Sequence, residues 1–277
     1  MEAYTDFAGV YDTFMDNTPY QEWADFLAKL IEKYGISGKR DDTCVTNEKD
    51  KLLRSERDLV LDLGCGTGTL TELLYQKGYD MMGVDNSQEM LNIALAKKEE
   101  TGSEILYLCQ DMRELDLYST IGTVISVCDS VNYLLEDEEV QEVFSLVNNY
   151  LYPGGIFIFD FNTVYKYAQV IGDATIAENR EECSFIWENY YHDKERINEY
   201  DLTVFVKEDD GEHFRRFTET HFQRGYTLEE MKGFVKQAGM EVVLALDAET
   251  HKAPSEASER IYIVAREIRK THKGMER

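Results

Sequence analysis

The sequence predicts an α/β fold in which a doubly wound, mostly parallel sheet carries helices on both faces. Short apolar runs alternate with segments of helical periodicity between residues 59 and 161, and this alternation is typical of a parallel sheet that is buried on both faces. A glycine-rich turn follows the first apolar run, where the first strand of such a fold leads into a helix. After residue 161 the strands become longer and show period two, which indicates an antiparallel insertion.

Seven apolar runs are the predicted strands of the main sheet: Leu59–Leu63, Asp80–Asp85, Glu104–Cys109, Thr123–Asp129, Ile156–Phe161, Val242–Asp247 and Arg260–Ala265. The run Pro153–Gly155 is expected to end the preceding helix and to separate it from the fifth strand. Helix starts are predicted from two capping-box patterns and one serine cap, which are Thr69 with Glu72, Thr227 with Glu230, and Ser87.

The chain is expected to have three parts. Residues 1–57 form an N-terminal helical lid, with an amphipathic helix from near Pro19, and a charged surface connection from residue 38 onwards. Residues 58–163 and 225–277 form the main domain. Residues 164–224 form a β-rich cap with three predicted strands, Glu182–Tyr191, Arg196–Val206 and His213–Arg224. A hairpin turn is predicted at Asp210-Gly211, between the second and third of these strands.

Composition argues against several classes of protein. The formal net charge of -25 repels polyanions over most of the surface and disfavours a nucleic-acid partner. No apolar run approaches the roughly 20 residues of a membrane span, and the N-terminus lacks a signal-peptide pattern. The five cysteines lie far apart without a CxxC pair, so we expect reduced thiols in a cytoplasmic protein. No His and carboxylate cluster has ligand spacing, and no metal is expected.

The turn DLGCGTG, residues 62–68, has glycines spaced GxGxG rather than in the GxGxxG pattern of a dinucleotide site. Its leading acid, Asp62, is a poor neighbour for a diphosphate and a good one for an ammonium group. Asp85 ends the second strand, where an acid can bind both hydroxyls of a ribose. Asp111 follows the third strand, where it could accept a hydrogen bond from an adenine amino group. The pattern predicts a ligand with an amine, a ribose and an adenine, and S-adenosylmethionine meets this description.

At this point the sequence resembles the class I S-adenosylmethionine-dependent methyltransferases, across essentially the whole chain. The resemblance rests on five blocks in order, DLGCGTG at 62–68, GVDNSQEML at 83–91, QDM at 110–112, CDSVNYL at 128–134 and LYPGGIFIFDF at 151–161. Residues 7–23 and 222–243 are similar to a bacterial subgroup of small-molecule or orphan methyltransferases with a Tyr-Asp-x-x-Met entry helix. The resemblance implies a Rossmann-like, seven-stranded, mostly parallel sheet with S-adenosylmethionine as the cofactor.

The resemblance also implies roles for individual residues. The first acid and the glycine turn hold the methionine moiety, the acid after strand two holds the ribose, and two tyrosines of the N-terminal helices close over the cofactor. The residues expected to bind the cofactor are Tyr11, Tyr20, Asp62, Gly64, Cys65, Gly66, Asp85, Asn86, Met90, Gln110, Asp111, Met112, Cys128 and Asp129.

The acceptor must lose a proton if its reacting atom is an amine nitrogen or a hydroxyl oxygen, so a base would help the reaction. Tyr133 stands where some related sugar-amine N-methyltransferases carry a His, and His221 of the cap is the second candidate. Each has a structural alternative, Tyr133 as pocket wall and His221 as a buried strand residue. The candidates for acceptor binding, with sheet packing or an ion pair as the alternative, are Trp187, Tyr191 and Arg224.

We therefore expect a cytoplasmic bacterial methyltransferase, a monomer or homodimer, that transfers a methyl group to a nitrogen or oxygen of a small-molecule acceptor. The cap would enclose that acceptor over the ends of the strands. Two alternatives remain open. One is a methyltransferase that acts on RNA or protein, and the other is a non-catalytic module that binds S-adenosylmethionine.

Overall fold

The computed structural model describes residues 7–40, 56–208 and 210–270. Most of the charged connection predicted from residue 38 onwards, together with Cys44, lies outside these ranges. The strands, in chain order, are β1 (Leu59–Leu63), β2 (Asp80–Asp85), β3 (Leu106–Cys109), β4 (Ile121–Ser126), β5 (Leu151–Asn162), β6 (Thr175–Asn179), β7 (Cys183–His192), β8 (Ile197–Lys207), β9 (Phe214–Arg224), β10 (Met240–Asp247) and β11 (Arg260–Glu267). The helices are α1 (Ala8–Phe14), α2 (Tyr20–Tyr34), α3 (Thr69–Gln76), α4 (Gln88–Thr101), α5 (Asp137–Tyr150) and α6 (Leu228–Gln237).

The main sheet has seven strands in the order β10-β11-β5-β4-β1-β2-β3. The pairs from β5 to β3 are parallel, and β11 runs antiparallel to both β5 and β10. This is the Rossmann-like, mostly parallel sheet that the sequence predicts. The chain runs outward from β1 to β3 and then returns to place β4 on the other side of β1, so the sheet has a topological switch beside β1. Open sheets of this kind bind ligands at the carboxyl ends of the strands next to the switch.

Two layers of helices bury the main sheet. Leu27 of α2 and Leu74 of α3 share one apolar cluster with Ile158 of β5. Phe144 of α5 packs on Phe157 of β5 in the cluster of the opposite face, with ring centroids 5.3 Å apart. Because successive side chains of a strand point to opposite faces, a strand between two helical layers needs apolar residues at nearly every position, and this explains the continuous apolar runs.

Three local expectations about this domain were wrong. The N-cap of α3 is Gly68 in the left-handed conformation, and Glu72 does not form a capping box but accepts hydrogen bonds from Thr101 and Ser103. The Pro153–Gly155 run lies inside β5, where the pairing with β4 shifts register. β4 ends at Ser126 because the chain leaves the sheet before two residues of positive φ, Cys128 at 65° and Asp129 at 57°.

The two other predicted helix caps are confirmed. The Ser87 hydroxyl accepts a hydrogen bond from the Met90 backbone at 3.2 Å. Thr227 and Glu230 form a reciprocal capping box at α6. The helix predicted to start near Pro19 is α2, whose N-cap is Pro19 itself. None of the helices among the described residues is both long and apolar enough to cross a membrane.

A second sheet forms the cap, with strand order β6-β7-β8-β9 and antiparallel pairing throughout. Three of its strands follow the prediction within a residue or two. The edge strand β6 was missed because its side chains are mostly exposed and carry no apolar alternation. The lid helix α1 lies against the cap, where Phe14 packs edge-on against Phe185 of β7 at 4.9 Å between centroids. Phe7 belongs to the same apolar cluster as Tyr200 of β8.

Candidate active site

A cleft opens at the carboxyl ends of β1, β2 and β4, and it encloses about 1040 Å³ of empty space, part of it open to solvent. The predicted site residues that line it are Tyr11, Tyr20, Asp62, Gly64, Cys65, Gly66, Asp85, Asn86, Met90, Gln110, Met112, Cys128 and Tyr133. Sequence reasoning missed other lining residues, namely Trp23, Leu63, Thr67, Thr69, Leu70, Val84, Val127 and Ser130. Trp23 was assigned to the core because it belongs to the apolar stripe of α2, although it lies one helical turn from Tyr20 on the same side.

The glycine turn brings bare backbone to the floor of the cleft. All three glycines have positive φ, 81° at Gly64, 53° at Gly66 and 74° at Gly68. A Cβ at Gly64 would lie 2.6 Å from the Ser130 hydroxyl, so no larger residue fits there. At Gly66 a Cβ would meet no atom within 4 Å, so this position leaves open space in which a ligand can approach the main chain.

Asp62 is fully enclosed at the start of this turn. Its carboxylate accepts a hydrogen bond of 2.6 Å from the Thr71 hydroxyl. Burial, together with a smaller contribution from the negative charge of Asp85, raises the pKa of Asp62 to about 7. A cationic group placed in the cleft would favour the ionised carboxylate. The position therefore suits an ammonium group, as expected for the methionine moiety of the cofactor.

Asp85 lies where β2 ends. One carboxylate oxygen accepts from the backbone of Gly66 at 2.8 Å, and the other accepts from the backbone of Ser87 at 2.9 Å. These bonds fix the carboxylate beside the glycine turn, and each oxygen keeps a lone pair that can accept from a ligand hydroxyl. Burial raises the pKa of Asp85 from its usual value. The two neighbouring hydroxyls of a ribose supply two hydrogen-bond donors, and their spacing matches that of the two oxygens of a carboxylate.

Two predicted cofactor residues do not line the cleft, which corrects the expectation for their side chains. The Asp111 carboxylate caps a short helical turn and is held by Arg113 at 2.6 Å, and this interaction lowers the pKa of Asp111. Gln110 and Met112, its neighbours in the chain, do line the cleft. The Asp129 carboxylate turns away to Arg260 at 3.0 Å and to Gln223 at 2.6 Å.

The side of the cleft next to β4 is aromatic. Four aromatic residues line the cleft together with Cys128, namely Tyr11 from α1, Tyr20 and Trp23 from α2, and Tyr133. The Tyr11 hydroxyl lies 4.0 Å from the Cys128 sulfur. Burial raises the pKa of the Cys128 thiol to about 12, so the thiol stays protonated and is a poor nucleophile. Aromatic faces attract a cation, and a sulfonium is one.

Tyr133 connects this cleft with the cap. Its hydroxyl lies 3.1 Å from His221 Nδ1 and 3.0 Å from the Tyr200 hydroxyl. His221 is 1 % exposed and stands behind Tyr133 rather than in the cleft wall. The two predicted catalytic candidates are therefore in contact with each other, and Tyr133 is the one that faces the cleft.

The three predicted acceptor-binding residues do not line the cleft either. Trp187 packs on Tyr200 inside the cap, with ring centroids 5.2 Å apart. Arg224 is buried, pairs with Asp137 at 2.7 Å and donates to the Leu135 carbonyl at 2.9 Å. These contacts join the cap to the start of α5 and to the segment just before it. Tyr191 is half-buried on β7, and its backbone N–H donates a hydrogen bond of 2.9 Å to the Asp173 carboxylate.

The fold and the cleft together define a Rossmann-like protein with a site for a cationic nucleoside. Comparison with known proteins agrees. A family model described as a methyltransferase domain matches residues 60–155. A candidate methyltransferase of Geobacillus sp. (strain WCH70) is 36% identical over 264 residues, which cover 95% of this chain and 99% of the relative.

Two further comparisons extend this result. A crystal structure of an S-adenosylmethionine-dependent methyltransferase from Clostridium acetobutylicum has a TM-score of 0.79 and 30% identity, and the match covers 96% of this chain and 99% of that one. A dTDP-3-amino-3,4,6-trideoxy-alpha-D-glucopyranose N,N-dimethyltransferase of Streptomyces venezuelae is 25% identical over 78% of this chain and 90% of that protein. The chain belongs to the class I S-adenosylmethionine-dependent methyltransferases. It is an enzyme, and its cofactor is S-adenosylmethionine.

Proposed function

We propose that this enzyme transfers the methyl group to a nitrogen or oxygen atom of a small molecule that is held between the cofactor cleft and the cap. The observation that carries the proposal is the direct contact of the cap with the cleft wall, where Tyr133 meets His221 of β9 and Tyr200 of β8. A sheet in this place encloses the space above the strand ends. An enclosed space suits a small acceptor better than a folded macromolecule.

Charge and similarity give independent support. The net charge of -25 opposes the approach of an RNA backbone. The Streptomyces relative is named for N-methylation of a nucleotide-linked amino sugar, which is a small-molecule acceptor. The RNA or protein alternative therefore ranks second. The non-catalytic binding module is set aside, because the chain belongs to a family of enzymes.

The cofactor, when bound, supplies a methyl group on a sulfonium sulfur. We infer that Asp62 and the backbone of the glycine turn hold its ammonium and carboxylate groups, and that Asp85 accepts from both ribose hydroxyls. Gln110 and Met112 lie where they would border the adenine. Tyr11 and Tyr20 place aromatic faces beside the sulfonium side and keep water away from it. The chain positions the reacting groups, and alignment of this kind can contribute several kcal/mol to catalysis.

The experiment that tests the proposal has two arms. Isothermal titration with S-adenosylmethionine and S-adenosylhomocysteine measures binding, with Asp85→Ala as the variant expected to lose it. Glu89→Ala is the matched control, because Glu89 is an exposed acid in the first turn of α4 that does not line the cleft.

In the second arm, tritiated S-adenosylmethionine is incubated with the enzyme and separate fractions of a bacterial extract. The proposal predicts label in the low-molecular-mass fraction, lost with Asp85→Ala and retained with Glu89→Ala. Label found in RNA or protein alone would refute the small-molecule acceptor. Intact cofactor binding without label in the low-molecular-mass fraction would also contradict the proposal.

A further inference from the structure

A line of polar side chains in contact leads from the cleft into the buried interior of the cap. It begins at Tyr133, whose hydroxyl lies 3.1 Å from His221 Nδ1. On the other side of the imidazole, His221 Nε2 lies 3.4 Å from the carboxylate of Glu219. Glu219 and His221 are 6 % and 1 % exposed, so both are shielded from solvent and face each other in a medium of low dielectric constant.

Strand geometry accounts for this arrangement. Glu219 and His221 are two residues apart on β9 and therefore point to the same face of the cap sheet. Tyr200 pairs directly with His221 across β8 and β9, and its ring stacks on the imidazole at 4.7 Å with an interplanar angle of 7°. The other oxygen of Glu219 accepts a hydrogen bond of 3.0 Å from the Phe7 backbone. The imidazole is thus held by stacking and the carboxylate by the lid.

We propose that Glu219, His221 and Tyr133 form a proton relay that removes a proton from the methyl acceptor, an inference that rests on the proposed function. Tyr133 is the catalytic residue, since it faces the cleft. Glu219 is a positioning residue that acts through His221. A carboxylate that holds an imidazole in one tautomer and stabilises its protonated form is the arrangement used by the triads of hydrolases.

The relay balances both protons and charge. The acceptor atom gains a methyl group and passes its proton to the Tyr133 oxygen, while the Tyr133 hydroxyl proton passes to His221 Nδ1. The positive charge lost at the sulfonium reappears on the imidazolium. A buried imidazolium would be unfavourable without a counter-charge, and the Glu219 carboxylate supplies one at 3.4 Å.

This chemistry restricts the class of acceptor. The relay is useful only when the reacting atom carries a proton that must leave, as in a primary or secondary amine or a hydroxyl group. A tertiary amine or a thioether would be methylated without any proton transfer. The structure therefore favours an acceptor with an N–H or O–H group beside Tyr133.

The first test needs no acceptor. Nitrogen-15 NMR of the histidine side chains in the wild-type protein reports which ring nitrogen carries the proton, with His221→Gln to assign the signal. We expect the Nε2–H tautomer, in which Nδ1 accepts from Tyr133 and Nε2 donates to Glu219. In Glu219→Gln this fixed tautomer should be lost. A proton on Nδ1 in the wild-type protein would overturn the relay.

The second test is kinetic. The rate of tritium transfer to the low-molecular-mass fraction is compared for the wild type, Glu219→Gln and Tyr133→Phe. Gln keeps an oxygen that can accept from Phe7, so the lid contact is preserved while the charge is removed. We expect both variants to be slowed by about 100-fold or more, the lower end of the contribution of general acid-base catalysis, with unchanged affinity for S-adenosylmethionine.

Glu199→Gln is the matched control, because Glu199 contacts the exposed His192 and points away from the relay. Equal rates for the wild type and Glu219→Gln would refute the relay while leaving the proposed function intact. If the wild type labels no small molecule, the proposed function fails instead, and the NMR result alone decides whether the relay geometry exists.

Discussion

Asp12 of α1 attaches the N-terminal lid to the glycine turn. Its carboxylate accepts from the Thr67 hydroxyl at 2.7 Å and from the Thr69 hydroxyl at 3.4 Å. The same carboxylate pairs with Lys97 of α4 at 2.6 Å. The residue before it, Tyr11, lines the cleft. Removal of the Asp12 carboxylate should therefore loosen the lid over the cofactor and weaken cofactor binding.

The size of the effect can be estimated from these contacts. The side chains of Lys97 and Asp12 are 26% and 38% exposed, so solvent screening leaves the ion pair worth roughly 0.5 kcal/mol. A hydrogen bond to a charged acceptor contributes about 1.5–3 kcal/mol, but only the part that orders the lid is coupled to the cofactor. We expect Asp12→Ala to weaken binding by about 1–2 kcal/mol, or about 5- to 30-fold in Kd.

Isothermal titration with S-adenosylmethionine measures this change. Asp12→Asn should lie between the wild type and Asp12→Ala, because the amide oxygen can still accept from Thr67. Asp16→Ala is the matched control, since Asp16 pairs with Arg180 of the cap and not with the glycine turn. If Asp12→Ala folds normally and its Kd stays within about twofold of the wild type, the lid does not depend on this contact and the reasoning is refuted.

Three further predictions concern stability. Gly64→Ala should destabilise the fold by about 1–3 kcal/mol through positive φ and the clash with Ser130, and Ser130→Gly in the same chain should restore part of the loss in chemical denaturation. Burial raises the pKa of Asp62 from its usual value of 3.8 to about 7, so the folded state holds a proton that the unfolded state releases. Stability of the cofactor-free protein should therefore fall as the pH rises from about 4 to about 7, and calorimetry should show Asp62→Asn raising the Tm more at pH 8, above this range, than at pH 5, within it. Arg224→Ala should lower stability by about 1–2 kcal/mol with an unchanged Kd for the cofactor, whereas a loss of acceptor binding alone would contradict its structural assignment.

The features that could be predicted from the sequence are those with local causes. The strands of the main sheet can be recognised in the sequence because burial on both faces requires continuous apolar runs. The glycine turn can be recognised because only glycine adopts its positive φ without strain. The cap at Thr69 was misplaced for a related reason. The chain leaves the turn through Gly68 at φ 74°, so the cap position itself needs a left-handed residue. The Thr69 hydroxyl, one position later, contacts Asp12 and Lys97 instead.

The acidic residues after the strands show where local reasoning ends. Asp85 is held by backbone amides within its own turn and at the glycine turn, so its position follows from the strand order. Asp129 is drawn away from the cleft by Arg260, which is 131 positions distant in the chain. No spacing pattern in the sequence predicts an ion pair between residues so far apart in the chain. An acid at the end of a strand is thus a good candidate for a ligand contact only when nothing else in the fold neutralises it.

The relay depends on a further level of organisation, the register of the cap. Alternation along β9 places Glu219 and His221 on one face, and this much follows from sequence. Which face meets Tyr133, 88 positions earlier, is decided by the pairing of Tyr200 with His221 and by closure of the cap over the cleft. A shift of one residue in that pairing would turn the exposed Phe222 toward Tyr133 and the imidazole toward solvent. The chemistry of the site is therefore encoded in strand pairing as much as in the residues themselves.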